Sequence, residues 1–201
     1  MRFDGWIAGL GTASGTRVVL GHWLRSPFGA FSDVMVELPG GVRMLFAPNR
    51  RTADFIAATY SFDQVVVVPV SVDPAAATWT VTAGPLTLWF AVGRRTALGR
   101  VLRLVPAPVA TRPAWAVCVS PVARLMLGVP VSGGTGRGRR EFYGVRDLHS
   151  VVAAGATWEG EDLGPLARVE PPVRFGFASV PAAPSLVRVV TTVVVTTVEL
   201  R

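Results

Sequence analysis

The sequence predicts a mostly β, antiparallel barrel with one or two short peripheral helices. Three observations carry that prediction. Thirty-four valines against two isoleucines fall in short runs separated by Gly, Pro and Asn turn signals. The best helical apolar spacing is in a single stretch, residues 50–60, and even there it is partial. The closing ribbon over 186–200 mixes Val and Thr without a clean polar face, so it must be covered on both faces or paired on both edges. A closed or nearly closed barrel answers that demand. No fixed repeat or linker divides the chain, and its length suits one core, so residues 1–201 form a single domain.

In chain order, residues 1–15 read as a glycine-rich loop anchored by Trp6 and Ile7. Gly9, Gly11 and Gly15 do not make a dinucleotide fingerprint, because the third glycine is misplaced. Strands follow over 16–23 and 31–38, joined by a turn at 26–29. Pro39-Gly40-Gly41 turns the chain into a strand over 42–47. Asn49 caps the helix over 50–60, where Ala53, Phe55, Ile56 and Ala57 set the apolar side. The valine run over 64–72 reads as a buried strand that ends or bulges at Pro69. Segments 78–82 and 86–92 flank Gly84-Pro85 as a hairpin. Residues 93–113, broken by Pro106 and Pro108, read as an extended connection with one helical turn. A strand over 115–119, a short helix over 121–127 and an extended piece over 128–132 come next. The chain closes with strands over 151–158, 174–179 and 186–200, separated by a turn at 159–162 and a connector over 165–172.

Composition removes several function classes. All twenty basic side chains are arginine, so no side-chain Schiff base or PLP–lysine linkage can form and no Walker A loop exists. Cys118 is the single cysteine, in an apolar setting, which excludes an internal disulfide and cysteine-rich zinc sites. There is no Gly-x-Ser-x-Gly elbow. The first residues carry no signal-peptide pattern, and prolines and arginines cut every apolar run short of a membrane span, so the expected location is cytoplasmic. A net charge of +7 favours anionic partners. Its arginines are spread along the chain and suit a carboxylate as well as nucleic acid.

Two passages resemble a known family. Ser26-Pro-Phe-Gly-Ala-Phe-Ser-Asp-Val-Met-Val-Glu37 resembles the glycine–aromatic–acidic strand of acetoacetate-decarboxylase-like barrels. Residues 121–127 together with Arg139-Arg-Glu-Phe-Tyr143 are similar to bacterial proteins of that superfamily. The resemblance implies a β-barrel or cone around a pocket for a small organic acid, with Asp33 at the acidic position that lines it. The family's nucleophile is a lysine, which this chain lacks, so the decarboxylase activity does not carry over.

One further stretch gathers reactive side chains. Glu141, Tyr143, Asp147 and His149 stand at odd positions, so on one unbroken strand they share a face, with residues two apart, such as Asp147 and His149, about 6.6 Å apart along the axis. Read functionally, Asp147 and His149 are an acid–base pair, Tyr143 a hydrogen-bond donor, and Arg140 or Arg146 a carboxylate clamp. Read structurally, they are the solvated face of a hairpin, and Gly144 can break the alternation. Asp33, set among apolar neighbours, faces either a pocket or an ion pair with Arg25 or Arg43. His22 reads as a structural hydrogen-bond partner. A metal site from His22, Asp147 and His149 has little support, and no cofactor is called for. The preferred function is binding of a small anionic organic molecule, lined by Asp33 and the 141–149 face. Two alternatives stay open. One is a lysine-independent lyase or isomerase using Asp147 and His149. The other is an interaction or nucleic-acid-binding protein using arginine loops, against which the single short tract over 133–140 weighs. Self-association into a homo-oligomer also stays open.

Overall fold

The computed structural model describes the chain apart from residues 113, 118–119, 121–131, 135–138, 177–179 and 196–201. Cys118, the helix expected over 121–127 and most of 128–138 therefore lie outside the described residues. The first four strands, β1 (Arg2–Thr12), β2 (Arg17–Arg25), β3 (Phe31–Glu37) and β4 (Arg43–Ala47), form an antiparallel meander. Gly29 (φ +84°) and Gly41 (φ +85°) sit at its turns, in backbone that favours glycine. Helix α1 (Arg50–Ala57) begins where Asn49 Oδ1 accepts the Thr52 N–H at 3.0 Å. β5 (Gln64–Val67) then returns parallel to β4.

A second meander follows: β6 (Val70–Ala75), β7 (Thr78–Ala83) and β8 (Leu86–Arg95). Helices α2 (Ala97–Leu104) and α3 (Ala107–Ala110) precede β9 (Ser132–Gly134) and the 20-residue β10 (Arg139–Trp158). Short pairs β11 (Glu161–Asp162) and β12 (Leu166–Ala167) lead to β13 (Ser185–Val195). The sheet runs β5-β4-β3-β2-β1-β13-β10-β8-β7-β6, antiparallel except for β4–β5. It is mostly β, as expected, but curled rather than closed. Its two ends, β5 and β6, are consecutive in the chain and meet at Pro69, which has no N–H to extend the ladder. Among the described residues no helix is long and apolar enough to cross a membrane.

Five local expectations need correction. Residues 2–12 are a strand, not a loop. Its glycines are where other chain comes close: a Cβ at Gly5 would lie 2.1 Å from His22 O, and one at Gly11 2.2 Å from Arg168 O. The 64–72 run is two strands with Val65 and Val67 exposed, so one of its faces is not buried. Residues 97–104 and 107–110 are helices because Thr96 caps the first, accepting the Gly99 N–H at 3.0 Å. Pro106 and Pro108 fall at the start of the second, where no N–H is required. Residues 114–117 are helical where a strand was expected, and 174–176 are irregular.

Alternation of side chains gives the sheet two apolar faces. Leu10, Val18, Leu20, Val34, Val36 and Phe46 join Trp79, Val81, Leu88 and Phe90 in one core. Strands β4 and β8 are far apart along the sheet path, so this contact exists only because the sheet folds over that face. The opposite face, with Phe3, Val19, Phe31, Met35 and Leu45, is covered by Ala53 and Ile56 of α1 and by Val169, Val173 and Phe175.

The cover over 169–175 is pinned by charge. Glu37 is fully buried, and its Oε1 meets Arg17 Nη2 at 3.2 Å and Arg174 Nε at 2.7 Å. Its Oε2 accepts the Arg174 backbone N–H at 2.8 Å, and Arg17 Nη1 donates to Pro171 O at 2.8 Å. Removing one partner of such a cluster strands a buried charge. Glu37→Gln is expected to cost about 3–5 kcal/mol in denaturant unfolding. The same assay should show Arg168→Ala changing little, because the Arg168–Glu170 pair is exposed.

Candidate functional site

The second face holds a half-open cavity of about 120 Å³, several times the space one water needs. Its floor is five neighbouring strands, β3-β2-β1-β13-β10, and its cover is α1 with Val180 and Pro181. Two carboxyls reach it from different strands, Asp33 from β3 and Glu141 from β10.

Asp33 is 2 % exposed, and Trp23 Nε1 donates to its Oδ1 at 2.9 Å. Gly21 makes this possible. It stands opposite Asp33 in the ladder, and a Cβ there would lie 2.5 Å from Asp33 Oδ1 and 2.8 Å from Trp23 Nε1. Neither arginine considered as a partner is present: Arg25 pairs with Asp4 at 3.3 Å and Arg43 with Asp63 at 2.8 Å. Burial therefore pushes the Asp33 carboxyl up to about 7, against the smaller opposing effect of the Trp23 hydrogen bond.

Across the cavity, Glu141 Oε2 accepts two phenol hydroxyls, Tyr60 at 2.6 Å and Tyr143 at 3.0 Å. The two hydroxyl oxygens are 3.1 Å apart. Burial raises the Glu141 carboxyl, partly offset by these two donors and by the Arg139 charge. Arg139 itself donates to Phe55 O and to Thr59 Oγ1, which ties β10 to α1. The Tyr143 hydroxyl is pushed well above its usual range by burial, by Glu141 and in smaller part by the Asp33 charge. Thr191 lines the same cavity at 4 % exposure, and its Oγ1 has no hydrogen-bond partner. The remaining wall is apolar, led by Phe3, Phe31, Met35, Phe55 and Val189. No arginine is among the described residues that line it.

The face expected for Glu141, Tyr143, Asp147 and His149 is split. Gly144 does not interrupt β10; the break comes one step later, where a bulge at Arg146 shifts the register against β13 between Val145 and Asp147. Lining residues accordingly run Glu141, Tyr143, Val145 and then Leu148. Asp147 and His149 pair with Arg188 and Leu186, opposite the lining residues Val187 and Val189, and neither lines the cavity. Asp147 accepts Arg95 Nε at 2.7 and 3.0 Å, and His149 Nε2 lies 3.5 Å from its Oδ2. Burial would raise the Asp147 carboxyl, but the Arg95 and Leu148 donors hold it below the usual value. Arg140, exposed over the Phe142 ring, and Arg146 at the bulge also lie off the lining, so neither forms the expected carboxylate clamp.

His22 Nδ1 is 2.9 Å from Ser32 Oγ, with its ring edge-on to Trp79. Among the described residues no group of three or more His, Cys, Asp or Glu could hold a metal ion. Trp23, Tyr60 and Thr191 are site residues that the sequence reading did not single out. The usable signal was Gly21-x-Trp23, which places a ring and a vacancy on the strand beside Asp33.

No family model matches the chain, and no curated protein matches it. Among solved structures it is similar to an acetoacetate decarboxylase from Legionella pneumophila. That likeness has a TM-score of 0.44 at 10 % identity and covers 97 % of this chain and 84 % of the other.

Asp33 links the pocket to stability. Its folded-state value of about 7 exceeds the ordinary 3.8, so it contributes stability that is full below about 4 and lost as pH rises to about 7. The loss amounts to a few kcal/mol. Asp33→Asn should remove this slope and unfold at higher denaturant than wild type on the alkaline side of 7, with little difference near 4. A wild-type slope unchanged by the substitution would contradict the assignment.

Proposed function

We propose that this chain binds a small, uncharged and largely apolar molecule bearing a carbonyl oxygen, held in the cavity between the five-strand floor and α1. The observation that supports this most is the pair of buried carboxyls, both raised by burial, in a wall with no arginine among its described residues. Asp33, pushed up to about 7, carries its proton on the acidic side of that value and then donates a hydrogen bond that a carbonyl oxygen can accept. Thr191 Oγ1 offers a further polar contact, and the rings of Phe3, Phe31 and Phe55 suit the apolar remainder.

The ligand class differs from the anion that net charge and the family resemblance suggested. A bound carboxylate would place a third acidic group beside Asp33 and Glu141, so it would enter only with its own proton. An amine would instead need Asp33 ionised. These three classes separate by pH, in thermal-shift titrations with cyclohexanone, cyclohexanecarboxylate and cyclohexylamine, one unit either side of 7. Cyclohexanone should raise the melting temperature on both sides, more on the acidic side, and the response should weaken in Leu or Val replacements of Thr191. Stabilisation by the amine alone, growing with pH, would overturn the reading, as would no response to the ketone.

A further inference from the structure

We infer that the cavity is a proton-transfer site for an enolisable ketone, with Asp33 as the base and the Glu141–Tyr60–Tyr143 cluster holding the carbonyl oxygen. This rests on the ligand class proposed above and adds a reaction to it. Asp33 Oδ1 accepts the Trp23 indole N–H, while among the described residues no hydrogen bond reaches Oδ2. The opposite group sets two phenol hydroxyls, Tyr60 and Tyr143, with their oxygens 3.1 Å apart; both donate to Glu141 Oε2, and a carbonyl oxygen is held when one of them turns its proton from Oε2 to the ligand. Both groups line one cavity of about 120 Å³, and the Asp33 charge acts on Tyr143, so a ligand that fills the space meets base and donors together.

The step balances within the site. Asp33 carboxylate takes a proton from the carbon next to the carbonyl, and the C–H pair becomes the C=C bond. The carbonyl π pair moves to oxygen, which hydrogen bonds from the donor cluster stabilise. Protonated Asp33 then returns its proton, to the same carbon or to a conjugated neighbour. No oxidant, metal or amine takes part.

The test is deuterium incorporation into cyclohexanone and methyl butyl ketone in deuterium oxide, followed by NMR, with saturation-transfer binding recorded on the same samples. Wild type should exchange the protons beside the carbonyl above the buffer rate. Asp33→Asn should lower the rate by about a hundredfold or more while binding persists. Tyr143→Phe should slow it less. His149→Gln, outside the lining, should leave it unchanged. Ketones that bind without exchange overturn this inference and leave the binding proposal standing; ketones that neither bind nor exchange overturn both. Exchange lost in His149→Gln but kept in Asp33→Asn would move the chemistry to the Asp147–His149 pair and also overturn it. Should Asp33→Asn fail to fold, Asp33→Glu must alter the pH profile of exchange, and an unaltered profile counts against Asp33.

Discussion

A sheet that is apolar on both faces must be covered on both, and this constraint organises the molecule. One face is buried by the sheet itself, which folds so that β2–β4 meet β7–β8. The other face needs a separate cover, built from α1 and the segment around 169–175. That segment carries little regular structure to hold it in place. The buried Glu37, bridging Arg17 beneath and Arg174 above, supplies the fixed point. The pocket is the space left where this cover does not reach the floor.

The same side chain behaves in opposite ways at two places on this sheet. Asp147 has an arginine and a backbone N–H, and its carboxyl is held low despite partial burial. Asp33 has one indole N–H and, among the described residues, no cation, and its carboxyl is raised to about 7. Asp147 is thereby a settled ion-pair partner, whereas Asp33 stands near the point where it can both give and take a proton.

Local chemistry made much of the architecture legible. The Asn49 cap, the Pro39–Gly41 turn and the Gly84-Pro85 hairpin depend on residues adjacent in sequence, and each was readable. Gly9 and Gly11 were not, because what they make room for, Val180 and Arg168, lies far along the chain. An inward-facing Asp33 was one of the two readings its apolar neighbours allowed, while Tyr60, on Glu141 across the cavity, comes just after a helix whose seat on the sheet no local pattern reveals. The bulge at Arg146 was the decisive hidden feature. One extra residue in β10 keeps Glu141 and Tyr143 on the cavity and sends Asp147 and His149 to the other face.

The central claim is that the cavity holds a buried carboxyl with no cation among the described residues to offset it. The most direct measurement is a carbon-13 NMR titration of the Asp33 side-chain carboxyl in the intact chain. The account predicts a midpoint near 7, moving when Trp23 is replaced by Phe. A midpoint at or below the ordinary aspartate value of 3.8 would mean that water or a cation reaches Asp33, and would contradict the account.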